Sequence, residues 1–198
     1  MTAHRPARGR PPLADVDDLR TRATPVILRL GYADASMARI AEELGVSVRT
    51  LHRYFPTKAD IVWGGIDGSA QALHEAFAHV PADLTLIDAL VAAITDLFAS
   101  EAGGYELARS RLVLIASTPE LRAARPGTYL QWRAELALFI AAWKGVPVDA
   151  IEPRTLAAGV HAAMDEALSW WAEHSDAPTP IEAVVESLRV FAGLADGR

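Results

Sequence analysis

The chain has 198 residues, of which 51% are hydrophobic and 22% charged, so it can form a packed core and is not expected to be disordered. It contains no Cys, which excludes disulfides, thiol catalysis and Cys-ligated zinc sites. No apolar run approaches the roughly 18–20 residues of a membrane span, and the N-terminal residues do not form a signal peptide, so we expect a soluble, cytoplasmic protein.

The net charge of −6 is divided unevenly along the chain. Residues 1–60 hold ten Lys and Arg against seven Asp and Glu, whereas residues 61–198 hold nine against eighteen. A unit that binds phosphate must be positive only on the side that faces it, so this pattern favours a nucleic-acid-binding unit joined to an acidic body. Charge drift without function is the alternative interpretation.

Helix signals dominate the sequence, and no segment alternates with the period of a strand, so we predict an all-α fold. The first predicted helix runs from Val16 to Leu30 and ends at Gly31. Pro25 is expected to kink or loosen the middle turn of this helix because it lacks a backbone donor.

Later helices are predicted from their caps and apolar stripes. Ser36 and Ser47 are suited to cap two short helices, and Thr57 is suited to cap a long fourth helix that ends before Pro81. Further helices are predicted at about 84–100, 104–117, 119–144, 150–174 and 180–195.

The most informative segment reads SMARIAEELGVSVRTLHRYFPTKAD, from Ser36 to Asp60. A short helix, Gly45 for a tight turn, an apolar Val46 and a second short helix are typical of a helix-turn-helix. The apolar side chains of both helices can then pack inward. The residues left on the outer face of the second helix are Val48, Arg49, His52 and Arg53.

This segment resembles the TetR family of repressors. The matching residues are Gly31, Tyr32, Ser36, Ile40, Ala41, Gly45, Val46, Ser47, Thr50, Leu51, Tyr54, Phe55 and Lys58. The resemblance implies a three-helix DNA-binding domain that is joined through a fourth helix to a helical regulatory core. It also implies that the last two helices form a four-helix bundle with those of a second subunit.

The resemblance implies a role in DNA binding for residues throughout the N-terminal domain. Phosphate contacts are implied for Ser36, Thr50 and Lys58, and contacts with base edges for Val48, Arg49 and His52. Arg49 can bond guanine O6 and N7, and the Val48 methyl groups can meet a thymine methyl. The full predicted set is Arg8, Arg10, Ser36, Arg39, Ser47, Val48, Arg49, Thr50, His52, Arg53, Tyr54 and Lys58.

Two residues depart from the family pattern. His52 stands where the family usually has Tyr, which puts the contact at that position in question. Pro25 interrupts a helix that the family normally keeps regular.

A second, shorter motif lies at the N-terminus, where residues 8–11 read RGRP and resemble the core of an AT-hook. A flexible arm of this kind can place Arg8 and Arg10 in a narrow A·T-rich minor groove. The alternative is a disordered basic tail that only adds non-specific affinity.

We therefore divide the chain into three predicted parts. These are a flexible basic arm at 1–14, a helix-turn-helix DNA-binding domain at 15–58, and a helical ligand-binding, regulatory and dimerisation domain at 59–198.

The last two predicted helices are apolar on more than one face, as expected when a helix is covered both by its own core and by a second subunit. A helix at the centre of a monomer is the alternative. The predicted dimer-interface residues are Leu156, Val160, Ala163, Ala167, Trp170, Val184, Leu188 and Phe191.

Residues 117–123, together with Gln131, Trp132 and Trp170, resemble the regulatory domains of the mycofactocin-system regulator group, which implies an acyl-CoA-type ligand. Bulky apolar side chains can also line an internal pocket between helices, although ordinary core packing is the alternative for each. The predicted ligand-binding residues are Phe98, Tyr105, Leu112, Trp132, Phe139, Trp143 and Met164. Arginines that can neutralise an acidic ligand, or are simply solvated, are Arg109, Arg111, Arg122 and Arg125.

No catalytic or phosphate-binding motif is found, and His74 and His79 are five residues apart rather than the four that a zinc-protease helix needs. We predict no enzyme activity, no cofactor and no metal. A helical enzyme and a protein-binding adaptor are the alternatives, and both lack salt-dependent binding to a specific DNA sequence.

The predicted function is a ligand-responsive TetR-type transcriptional repressor. Its predicted partners are double-stranded operator DNA with a pseudo-palindromic sequence, a second copy of the chain, and a small apolar or acyl-CoA-like effector that releases it from DNA, with no membrane involved.

Overall fold

The computed structural model describes residues 15–64, 69–100, 105–124 and 127–195, and these ranges contain helices and no strand. The all-α prediction is therefore confirmed for the described part of the chain. The helices are α1 Val16–Leu30, α2 Met37–Leu44, α3 Val48–Tyr54, α4 Lys58–Trp63, α5 Ser69–Ala78, α6 Leu86–Ser100, α7 Tyr105–Ser117, α8 Pro119–Ala123, α9 Gly127–Lys144, α10 Ile151–His174 and α11 Ile181–Ala195. None of these helices is both long enough and apolar enough to cross a membrane. The predicted arm with Arg8 and Arg10 lies outside the described residues.

The caps predicted for the short N-terminal helices are present. Ser36 accepts a hydrogen bond from the Arg39 N–H at 3.2 Å, and Ser47 accepts one from the Thr50 N–H at 3.0 Å. Gly45 ends α2 in the left-handed region at φ 68°, where a residue with a Cβ is strained. These local bonds fix where α2 ends and α3 begins.

Pro25 does not end α1, which continues through it to Leu30. The proline is exposed, while Ala23, Thr24 and Ile27 beside it are buried. The hydrogen bond that Pro25 cannot donate is therefore lost on the solvent side of the helix, where water can satisfy the freed carbonyl.

Two predicted helices are shorter than expected. The fourth does not run from Lys58 towards Pro81, because α4 ends at Trp63 and Gly64 has extended backbone (ψ 158°). The physical reason is the glycine-rich sequence WGGIDG at 63–68, since glycine has a low helix propensity. Ile66, expected on the stripe of this helix, lies outside the described residues.

The helix predicted at 119–144 is also divided, because α8 ends at Ala123 and α9 begins at Gly127. Pro126 follows α8 in the sequence and disfavours helical backbone at the residue before it. The described part of the chain therefore contains more and shorter helices than the apolar periodicity predicts.

The helices surround two apolar cores. The first joins the N-terminal helices, with Ile40, Leu51 and Phe55 at its centre, to Leu114 of α7 and Leu121 of α8. The second is formed by α5, α6, α9, α10 and α11. Because α7 and α8 contribute buried side chains to the first core, they pack directly against the N-terminal helices.

The structure corrects the predicted dimer interface. Val160, Ala167, Val184 and Leu188 are at most 5% exposed because α10 and α11 bury them in the second core of their own protomer. Leu156, Ala163 and Phe191 are half-buried against the same core, and the Phe191 ring packs directly on Gly159. Of the eight predicted residues, only Trp170 is exposed, at 51%.

Candidate functional site

The second helix of the helix-turn-helix, α3, is anchored by one side only. Leu51 is fully buried and Phe55, at its C-cap, is 1% exposed, so both belong to the N-terminal core. The opposite side faces outward, as the sequence predicts. The exposed residues on that side are Val48, Arg49, His52 and Arg53.

Two polar side chains on this outer face have partners near the end of α3. The Arg53 guanidinium donates a hydrogen bond to the Tyr54 hydroxyl at 2.7 Å and lies over the Tyr54 ring, 4.7 Å from its centroid. The His52 Nδ1 lies 3.1 Å from the carbonyl oxygen of Pro56. Both contacts hold the side chain along the helix and reduce the entropy it would lose on contacting another surface.

The other described residues predicted to bind DNA, including Ser36, Thr50 and Lys58 for phosphate, lie around the outer face of α3. Ser36, Arg39 and Ser47 are exposed, while Thr50, Tyr54 and Lys58 are half-buried. Lys58 donates a hydrogen bond to the Tyr32 carbonyl, and its ammonium lies 4.1 Å from the centroid of the Tyr32 ring.

Residues 15–60 contain seven cationic and seven acidic side chains, so the positive surplus of the N-terminal segment comes from the arm. Three of the cations form ion pairs within this part: Arg20 with Asp17, Arg22 with Asp18 and Arg29 with Glu43. The four that form no salt bridge with a described residue are Arg39, Arg49, Arg53 and Lys58. Of the helices that carry them, only α3 has no acidic side chain, so Arg49 and Arg53 make its outer face positive.

A second site is a cavity of about 140 Å³ between the end of α4 and the helices of the regulatory half. Five of the predicted ligand-binding residues line it, namely Phe98, Tyr105, Leu112, Trp132 and Met164. The structure therefore brings these five predicted residues together from α6, α7, α9 and α10.

Two predicted lining residues do not line this cavity. The Phe139 ring stacks on Phe77, with centroids 4.0 Å apart and ring planes at 8°, and Trp143 lies 5.4 Å beyond Phe139. The Phe139 side chain packs against the second core. It lies seven residues, about 10 Å, further along the same side of α9 as Trp132. Aromatic composition alone did not show how far along this helix the cavity extends.

Sequence reasoning missed a polar group in the cavity wall. The Tyr129 hydroxyl donates a hydrogen bond to Asp165 Oδ1 at 3.1 Å, and the Tyr129 ring packs edge-on against His161 and Trp63. His161 and Asp165 are four residues apart on α10 and lie on one side of that helix with Leu168, another lining residue. This spacing was a signal that could have identified them.

The cavity wall also reaches the end of α4. Arg111 lines the cavity and donates a hydrogen bond to the Gly64 carbonyl at 2.8 Å. Trp63, another lining residue, donates its indole N–H to the Leu121 carbonyl at 3.1 Å. The last turn of the helix that follows α3 is therefore held by cavity residues.

Arg109 does not line the cavity but binds backbone carbonyls of the protein itself. Its guanidinium donates hydrogen bonds to the carbonyls of Trp171, Ala172 and Ala177 at 3.1–3.5 Å and lies over the Trp171 ring. It thus satisfies carbonyls at the C-terminal end of α10, where a positive charge is favourable. Arg122 is exposed, and Arg125 lies outside the described residues.

The described part of the chain contains no group of three or more His, Asp or Glu placed to hold a metal ion. The two candidate sites in the described residues are an exposed helix face with cationic side chains and an apolar cavity with polar groups in its wall.

Two family models match the chain. One, described as bacterial regulatory proteins of the tetR family, matches residues 21–62, and the other, described as the MftR C-terminal domain, matches residues 84–197. A curated relative from Mycobacterium tuberculosis (strain ATCC 25618 / H37Rv), named as the mycofactocin biosynthesis transcriptional regulator MftR, is 32% identical over 127 residues. That alignment covers 64% of this chain and 64% of the relative.

Solved structures of similar fold include three transcriptional regulators. A protein from Pseudomonas aeruginosa PAO1 has a TM-score of 0.60 at 19% identity and covers 96% of this chain and 92% of its own. A regulator from Rhodococcus sp. Rha1 has a TM-score of 0.57 at 21% identity, with coverage of 91% and 95%. Thermus thermophilus FadR, a TetR-family repressor in complex with lauroyl-CoA, has a TM-score of 0.53 at 18% identity, with coverage of 88% and 92%. At these identities the likeness concerns the fold alone.

The partly buried Tyr32 gives the free energy of unfolding a dependence on pH that can be tested. Burial of the phenol, with the negative charges of Glu120 and Asp60, raises the pKa of Tyr32 above its ordinary value of 10.0. Below that value both the folded and the unfolded chain keep the proton, whereas above it the unfolded chain loses the proton first and is favoured. The free energy of unfolding should therefore fall more steeply above about pH 10 for the wild type than for Tyr32→Phe.

The measurement is urea unfolding of both proteins across this pH range. Parallel pH dependence in the two proteins would contradict the assignment.

Proposed function

Because the chain belongs to the tetR family of bacterial regulatory proteins and carries an MftR-type C-terminal domain, we propose that it is a ligand-responsive repressor that binds a pseudo-palindromic operator as a homodimer. The observation that carries this proposal is the outward orientation of α3. Its apolar side lies in the core, and Val48, Arg49, His52 and Arg53 are exposed together. A face of this shape and charge suits insertion into a major groove.

Two kinds of DNA contact are proposed for this face. The side chains of Val48, Arg49 and His52 read base edges, while the hydroxyls and cations around them bind phosphate and set the register. Lys58 is held by Tyr32, so its charge reaches the phosphate backbone from a fixed position beside α3.

The proposed dimer uses the outward sides of α10 and α11, which include only Trp170 of the eight residues predicted from the sequence. Large apolar side chains are exposed on both helices, with Trp170 at 51% and Val190 at 62%. A shallow groove along α11 is lined by Ile181, Glu182, Val185, Glu186, Arg189 and Val190. In a two-fold interface the same surface meets itself, so each arginine at 189 can face the acids of the second copy.

The proposed effector site is the cavity, and its size favours a small apolar effector. A volume of about 140 Å³ suits a group the size of benzene and is below the ~300–1,000 Å³ of pockets that take drug-sized ligands. A long acyl chain, of the kind bound by the Thermus thermophilus repressor, requires the cavity to enlarge.

The proposed link from effector to DNA is the end of α4. An effector that displaces Arg111 or Trp63 changes the contacts that hold Gly64 and the last turn of α4. It releases the protein from DNA only to the extent that it binds the DNA-incompetent arrangement more tightly.

Arg49→Ala should weaken binding to the selected operator by ~1–3 kcal/mol per half-site and relax preference at the contacted guanine, because a bidentate contact to O6 and N7 is lost. Gel-shift titration against the operator and a scrambled duplex measures this. Arg133→Ala, which removes an exposed arginine on α9, is the matched control and should bind as the wild type does. Unchanged operator selectivity in Arg49→Ala would exclude the proposed contact.

Val190→Glu should convert the dimer into a folded monomer. The side chain is 62% exposed in the protomer, so folding tolerates the charge, but an unpaired charge buried in an interface costs about 3–5 kcal/mol. Sedimentation velocity measures the oligomeric state, and circular dichroism checks the fold. Val148→Glu places the same charge at another exposed valine, before α10, and should remain dimeric. A dimeric Val190→Glu would show that the interface lies elsewhere.

Benzene should raise the thermal unfolding midpoint of the wild type, since a ligand at 100 times its Kd stabilises the folded state by about 2.7 kcal/mol. Ala108→Leu fills part of the cavity and should abolish the shift. Ala134→Leu, at an exposed position of α9, should leave it unchanged. Stabilisation by lauroyl-CoA but not by benzene would reject the small-effector assignment and favour an enlarged cavity.

A further inference from the structure

We propose that His52 is a specificity-determining residue that reads an exocyclic amino group, on adenine or cytosine, in each operator half-site. The inference rests on the proposed function and names the chemical group on DNA that one side chain of α3 contacts.

The position of His52 directs it towards a groove. On the 100° spacing of a helix, its direction falls between those of Val48 and Arg49, about 100° around α3 from the buried Leu51. All three side chains are exposed. Any base edge that Val48 and Arg49 approach is therefore also within the angular range of His52.

The hydrogen bond of His52 fixes which ring nitrogen carries the proton. Nδ1 lies 3.1 Å from the Pro56 carbonyl oxygen, and a carbonyl oxygen only accepts, so Nδ1 is the donor. In the neutral imidazole, Nε2 is then an acceptor without a hydrogen.

The acceptor of that bond belongs to a peptide unit that is held from its other side. The Thr57 N–H, in the same peptide group as the Pro56 carbonyl, donates to Asp60 Oδ2 at 2.7 Å. The Thr57 hydroxyl also donates to Asp60 Oδ2, at 2.8 Å. The capping box of α4 thus fixes the carbonyl that orients His52.

A side-chain atom that only accepts hydrogen bonds can bind only those bases that present a donor in the major groove. Adenine N6 and cytosine N4 present donors there, whereas guanine O6 and N7 and thymine O4 present acceptors. Nε2 therefore favours an amino base and disfavours guanine and thymine. Arg49 has only donors and favours guanine, so α3 carries two readers of opposite polarity, three residues apart.

The same tautomer argues against a phosphate contact. Phosphate oxygens accept hydrogen bonds, and the neutral His52 ring has its only N–H engaged with Pro56.

The test begins with the full-length wild type selecting an operator from a random duplex library. His52→Ala should lose base preference at one position in each half-site, where the wild type selects adenine or cytosine, and His52→Arg should select guanine there. The control is His79→Ala, because the exposed His79 makes the same kind of bond, from Nδ1 to the Glu75 carbonyl at 2.8 Å, far along the chain just after α5.

The amino group is then removed from the selected base, with purine in place of adenine or pyrimidin-2-one in place of cytosine. The wild type should lose about fivefold in affinity per half-site, the value of one hydrogen bond, and His52→Ala should be indifferent to the change. Equal losses in both proteins would overturn the inference.

Two further outcomes separate this inference from the proposed function. If His52→Ala weakens binding equally for all sequences and lowers the salt slope by about one, His52 contacts phosphate and the inference is overturned. If the wild type enriches no sequence at all, the proposed function fails and the inference fails with it. Enrichment that His52→Ala leaves unchanged overturns only the inference.

Discussion

The packing of Leu51 and Phe55 into the N-terminal core is the constraint on which the DNA-binding face depends. Because both residues are almost fully buried, α3 cannot rotate about its axis without removing apolar surface from the core. A Leu or Phe that loses its core site costs several kcal/mol, about 2–5 by truncation. This cost keeps the side of α3 with Arg49 and His52 turned outward, and the same core also holds Leu114 and Leu121 of the regulatory half.

Features that depend on neighbours along the chain could be predicted from the sequence. The caps at Ser36, Ser47 and Thr57 and the end of α2 at Gly45 are set by bonds within four residues, and all of them are present. The two family resemblances were likewise drawn from residues at fixed spacing, and both are confirmed by the matches at 21–62 and 84–197.

Features that depend on distant partners could not be predicted in the same way. A helix with two apolar sides, such as α10, does not reveal which side its own protomer covers, so Val160 and Leu188 were assigned to an interface although they are core. Phe139 was assigned to the cavity because it shares a side of α9 with Trp132, but its ring lies further along the helix and stacks on Phe77. The breaks near Gly64 and Ala124 had local signals, but the apolar stripe that continued past them carried more weight in the prediction.

Helix α4 connects the two sites over a short distance. Its six residues span about 9 Å at 1.5 Å per residue. At its start, the Thr57–Asp60 capping box fixes the peptide that orients His52, and at its end Arg111 and Trp63 hold it to the cavity wall. These contacts are separated by about one and a half turns of helix. A shift of α4 that begins at the cavity would therefore reach the peptide that orients His52 without passing through a flexible segment. Under the proposed function, effector binding and base recognition act on the same short helix, so a ligand that moves α4 is expected to change base readout as well as the spacing of the two α3 helices in the proposed dimer.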